Sequence, residues 1–130
     1  MTDFNCIREF LAADKELNAL VGDNIFLFER PKEVECDSYI TYSFHELHGA
    51  SAVRQYQLDI RAISKDIRKV LLIKDRVIKL LDCYNRPCNL STADEGVLSC
   101  TLVNGGGLAH NDETDEYYAF SYFVVNATNN

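Results

Sequence analysis

Three histidines (His45, His48, His110), five cysteines (Cys6, Cys36, Cys83, Cys88, Cys100) and two acidic clusters are the residues whose chemistry could reach beyond packing. Cys88 and His110 are of the types that form a nucleophilic pair, in which an imidazole takes the thiol proton. No local motif surrounds either one, and all three histidines fall in segments that read as loops, where a solvated imidazole is ordinary. Cys83-x4-Cys88, with Cys100 further on, outlines a metal knuckle. The second paired element and the fourth ligand of a zinc site are missing. The cluster Glu33, Glu35, Asp37 lacks the central glycine of a calcium loop, and Asp112, Glu113, Asp115, Glu116 lacks its alternating order. Both read as solvated acidic loops. Gly105-Gly106-Gly107 follows a strand but has neither the Gly-Lys-Ser/Thr step nor the helix of a phosphate cradle, and reads as a flexible hairpin turn. These residues predict no catalytic site, no metal and no cofactor.

Charge narrows the partners. The formal net charge is −7, with 20 acids against 13 bases. A conventional nucleic-acid binder needs Lys/Arg stripes that displace counterions from phosphates, so that class is excluded. The charge is also unevenly placed. Asp66 to Arg86 holds six bases and three acids, whereas Ser91 to Asn130 holds six acids and neither Lys nor Arg. The start, Met1-Thr2-Asp3-Phe4, has no basic segment leading into an apolar run, and no stretch reaches the roughly 18–20 apolar residues of a membrane helix. A cytosolic product is expected, with free thiols acting as small hydrophobes. The glycosylation sequons at Asn89 and Asn126 have no meaning there.

Elements must position whatever function exists, and 130 residues at 47% hydrophobic suffice for one core. Thr2 is placed to cap a helix carrying Phe4, Ile7, Phe10 and Leu11. Asp14 caps a short helical turn, Lys15–Val21, that stops at Gly22. Ile25–Phe28 reads as a buried strand, and Tyr39–Phe44 alternates, with Ile40, Tyr42 and Phe44 on one face. His45–Ala52 reads as a flexible hairpin connection. In the next strand Tyr56, Leu58, Ile60 and Ala62 point one way, while Gln55, Gln57, Asp59 and Arg61 point the other. Ser64 is placed to cap the long helix, whose apolar stripe is Ile67, Val70, Leu71, Val77, Ile78 and Leu81. Val97–Val103 alternates, and Tyr117–Val125 has two apolar faces, one of them Tyr118, Phe120, Tyr122 and Val124. The order α-β-β-β-α-β-β predicts a single α+β domain. It has a mostly antiparallel sheet of about five strands, with an N-terminal helix and one long helix on one face.

The run Ala13 to Phe26, with its Leu20-Val21-Gly22 step into a strand, resembles the opening of the phage tail-completion (tail terminator) family. The resemblance continues through Tyr39-Ile40-Thr41-Tyr42, through Tyr56 to Ala62 with the helix Asp66–Asp82 directly behind it, and through the aromatic closing strand after an acidic tip. It spans about Ala13 to Val125. The resemblance implies a structural virion protein, made in the host cytoplasm and carried in the tail. Such a protein closes into a ring, a hexamer in expectation, on the end of the tail tube. There it stops tube growth and presents a surface to the head completion or connector protein. No enzyme activity or cofactor is implied. The ring's partners would be its own copies, the tube protein and the connector, with DNA passing through a negatively charged lumen.

Such a ring needs complementary surfaces. The charge split offers Arg68, Lys69 and Arg76 against Asp112, Asp115 and Glu116 of a neighbour. Tyr118, Phe120 and Tyr122 offer a second contact, and the loop of His45, Glu46, Leu47 and His48 offers a docking element. Two alternatives remain open: another head–tail joining adaptor, and a small hydrolase or ligand-binding domain using Cys88 or His110.

Overall fold

In a computed structural model, residues 5–48, 53–83 and 97–128 are described; Thr2, the 49–52 connection and Cys88 lie outside them. The chain runs α1 (Asn5–Ala12), α2 (Lys15–Val21), β1 (Ile25–Leu27), β2 (Ser38–His48), β3 (Val53–Ser64), α3 (Ile67–Leu81), β4 (Val97–Asn104), β5 (Leu108–Asn111) and β6 (Glu116–Thr128). The α+β architecture is as expected, with six strands in one sheet ordered β1-β2-β3-β6-β4 and β5 also paired to β6. Among the described strands β1 pairs with β2 in parallel, and the other pairs are antiparallel.

Local chemistry sets the helix ends. Asp14 caps α2, its carboxylate accepting from the Leu17 N–H at 2.9 Å, and Gly22 ends it at φ 63° with its N–H on the Asn18 carbonyl. This positive φ is where glycine is favoured over residues with a Cβ. At α3 the cap is Asp66, which accepts from the Arg68 N–H at 2.9 Å, and not Ser64. Ser64 stands two residues before it, its hydroxyl accepting from the Asp66 N–H and bonded to the Ser38 hydroxyl. The aspartate wins because its ionised carboxylate also meets the positive end of the helix.

The core lies between the helices and one sheet face. Tyr56, Leu58, Ile60 and Ala62 are all buried, as their alternation requires. On β6 it is Ala119, Phe123, Val125 and Ala127 that face the helices, while Tyr118, Phe120, Tyr122 and Val124 are half-buried on the opposite face. The α3 stripe differs from expectation. Val70, Ile73, Val77 and Leu81 are buried, whereas Ile67 and Leu71 are exposed. The i, i+3, i+7, i+11 spacing of the buried set is the narrow seam that a helix lays on a sheet; Ile67 and Leu71 fall off its edge.

Two connections also differ from the sequence reading. His45–His48 continues β2 and does not form a loop; His45 pairs with Gln57 and Glu46 with Tyr56. Alternation is weak there, yet the ladder runs on against β3, with a bulge at Leu47 before His48 pairs with Gln55. The glycines 105–107 do not turn a hairpin. Both β4 and β5 lie antiparallel along the same edge of β6, because β3 occupies its other edge throughout. The triplet therefore interrupts one long edge strand, and the hairpin turn is the acidic tip after Asn111. Gly106, at φ 62°, lies so close to β6 that an added Cβ would sit 2.3 Å from the Phe120 carbonyl oxygen. The end of α3 covers part of the β4 edge. The Cys83 N–H donates to the Cys100 carbonyl at 2.7 Å, and the Asp82 carboxylate accepts from the Leu102 N–H at 3.2 Å, occupying groups that would otherwise invite another strand.

Candidate assembly surface

Arg76 is the first charged residue that the fold commits. Its guanidinium grips the Asp14 carboxylate through two bonds, Nε to Oδ2 at 2.9 Å and Nη2 to Oδ1 at 2.7 Å. It also reaches Glu16 at 3.4 Å. The fork joins α3 to the cap of α2, and the Arg76 hydrogen bond draws the Asp14 carboxyl below its ordinary range. Arg68 and Lys69, on the first turn of α3, remain at the surface. Of the three α3 cations expected to meet a neighbour (Arg68, Lys69, Arg76), Arg76 is thus occupied within its own chain.

The acids divide similarly. Glu116 is buried at 8% exposure and begins β6 opposite Asn111. It lines a recess of about 290 Å³ with Arg30, Cys36 and Lys65. Asp112 and Asp115 are 97% and 79% exposed, and bracket His110 from both sides. Nδ1 lies 2.9 Å from the Asp112 carboxylate and Nε2 lies 3.0 Å from that of Asp115. A neutral imidazole donates from one nitrogen only, so two carboxylate contacts select the imidazolium. The Asp115 contact, followed by Asp112, accordingly raises the His110 pKa. The ring rests on Tyr117, centroids 4.5 Å apart.

The open sheet face carries the remaining candidates. Cross-strand register aligns Thr41, Arg61 and Phe120 in one row, and Tyr39, Ile63 and Tyr118 in the next. With Phe28, Glu29 and Arg30 they enclose a groove of about 360 Å³. Arg30 stacks on the Tyr39 ring at 5.4 Å and donates to the Val34 carbonyl. Burial raises the Tyr39 phenol pKa, and a hydrogen bond to Arg30 opposes the rise. A second recess, about 300 Å³, is lined by Gln57, Val103, Asn104, Tyr122 and Val124. Tyr118 and Phe120 thus share one groove, and Tyr122 belongs to its neighbour. His45, Glu46 and Leu47 stand exposed on β2, with Glu46 paired to Arg54 at 3.2 Å.

Sequence reasoning missed Arg61, Tyr39 and Phe28. The signal for Arg61 was its place on the polar side of the best-patterned strand; nothing local showed that aromatic rings would flank it. Cys88, proposed with His110 as a nucleophilic pair, lies outside the described residues. Among the described residues, no group of three or more His, Cys, Asp or Glu side chains is arranged to hold a metal ion. No helix among them is long and apolar enough to cross a membrane.

No family model matches the chain, and neither does any curated protein. Its fold is matched by a chain in the solved virion of a native gene transfer agent particle. The TM-score is 0.73, over 98% of this chain and 95% of that chain, at 13% sequence identity. The likeness is one of fold, and it runs nearly end to end in both molecules.

Proposed function

We propose that this chain is a structural virion protein, a tail-completion subunit that closes into a ring, a hexamer, on the end of a phage-like tail tube. The observation that carries the reading is the near-complete fold likeness to a chain of a virion particle. The finer role is suggested by the segments between Ala13 and Val125 that resemble the tail-completion family. The open sheet face adds support, since aromatic side chains left half-buried on a central strand are what subunit contacts cover. In this role the ring would stop tube growth through surface complementarity. One face accepts the last tube ring, and the other accepts the head completion or connector protein. The surfaces available are the Tyr118–Phe120–Tyr122 face, the turn with Asp112 and Asp115, the Arg68–Lys69 end of α3 and the exposed His45–Leu47 segment. DNA would pass through without sequence-specific contact.

Particles assembled without this protein test the proposal. Electron microscopy is expected to show overlong tubes without heads. Tubes of normal length carrying heads would overturn it.

A further inference from the structure

Arg61 stands at the centre of the open face, on β3 between Thr41 of β2 and Phe120 of β6. No ion pair or side-chain hydrogen bond of Arg61 falls among the described residues. Asp59, two residues back on the same face, is bonded instead to Gln57 at 2.8 Å. A half-buried guanidinium with aromatic walls and no counter-ion among the described residues is suited to receiving a carboxylate from outside, because low-dielectric surroundings strengthen such a pair. Arg30 lines the same groove, giving two guanidiniums against the single carboxylate of Glu29. Phe28 stands at the rim. The residue is 69% exposed and its backbone is at φ 73°, a conformation that costs a non-glycine residue and is not offset here by burial.

The same chain presents the matching piece. The turn between β5 and β6 carries Asp112, Glu113 and Asp115, all exposed, and the chain from Ser91 onward holds no Lys or Arg. Asp112 and Asp115 hold His110, so the turn is shaped by its own residues, while Glu113 has no side-chain partner among the described residues. We infer that the Arg61 groove receives the acidic β5–β6 turn of a second copy of this chain. A patch and a different, complementary patch on each subunit make a head-to-tail contact, the kind that closes rings. The inference rests on the ring reading. It relocates the receiving cation from α3, where Arg76 is already spent on Asp14, to the sheet.

Sedimentation velocity and native mass measurement of the full chain, at low and high salt, test this. Wild type is expected to associate, and Arg61→Glu and Glu113→Arg are each expected to weaken association by about tenfold or more. The combined Arg61→Glu/Glu113→Arg chain is expected to recover it. Arg61→Gln, with a melting curve for each variant, separates lost contact from lost fold. Singles that associate like wild type overturn the inference and leave the ring reading standing, to be judged by tail length. A wild type that stays monomeric at every concentration also overturns it. So does a result in which Arg61→Glu blocks tail completion while self-association is unchanged, which would assign the groove to the tube or connector instead.

Discussion

Arg76 of α3 and Asp14, the cap of α2, form a two-pronged ion pair across 62 positions of sequence. Asp14 therefore serves twice, satisfying an orphan N–H of α2 and anchoring that helix to α3. Truncating it removes both roles. Asp14→Ala is expected to lower unfolding free energy by about 1–2 kcal/mol, the range for a lost cap, and more than Asp14→Asn, which keeps a capping oxygen. The folded carboxyl has a lowered pKa. Its contribution is thus complete above the unfolded value, near 3.8, and is lost as pH falls through the folded value. The difference between wild type and Asp14→Asn in denaturant titrations should accordingly shrink toward pH 3.

His110 behaves in the opposite sense. Its folded pKa is raised above 6.5, so its stabilisation of the β5–β6 turn is complete below that value and is lost as pH rises through the folded value. An NMR titration of the ring is expected to give a midpoint above 6.5 in the native chain. Asp115→Asn should move that midpoint down further than Asp112→Asn. Turn amides should exchange faster at pH 8 than at pH 6 after correction for intrinsic rates. An unshifted midpoint would show that the two carboxylates do not hold the ring in solution.

Gly106 and Gly107 make a matched pair. A Cβ at Gly106 meets the Phe120 backbone and must adopt φ 62°; at Gly107 it meets nothing within 4 Å. Gly106→Ala is expected to destabilise by about 2 kcal/mol or more, combining strain and overlap. Gly107→Ala should stay within about 0.5 kcal/mol. Equal effects in thermal melts would mean that Gly106 is not held against the Phe120 backbone in solution.

Periodicity in the sequence was enough to determine the alternating faces of β3, the Asp14 cap, the Gly22 stop and the order of the larger elements, because each depends on neighbours within about one turn or one strand. It also showed that β6 has two apolar faces. It did not decide which face is core, since both alternating sets are equally hydrophobic; only the tertiary packing, which buries Phe123 and Val125 in one cluster with the α3 seam and leaves Phe120 half-buried, does that. The same limit explains α3. Ile67, Leu71 and Ile73 are equally apolar in sequence, and the position of the sheet under the helix selects Ile73.

Charge was legible as a total and as an asymmetry, but not as a set of pairs. Tertiary structure spends Arg76 on Asp14, buries Glu116 at the start of β6, sets Asp112 and Asp115 on His110, and leaves Arg61 unmatched among the described residues. The physical reason is that an ion pair forms over a few ångströms of space while its partners can stand anywhere in the chain. What sequence by itself determined here is local geometry and net charge; which charges remain for a partner was decided only when the chain folded.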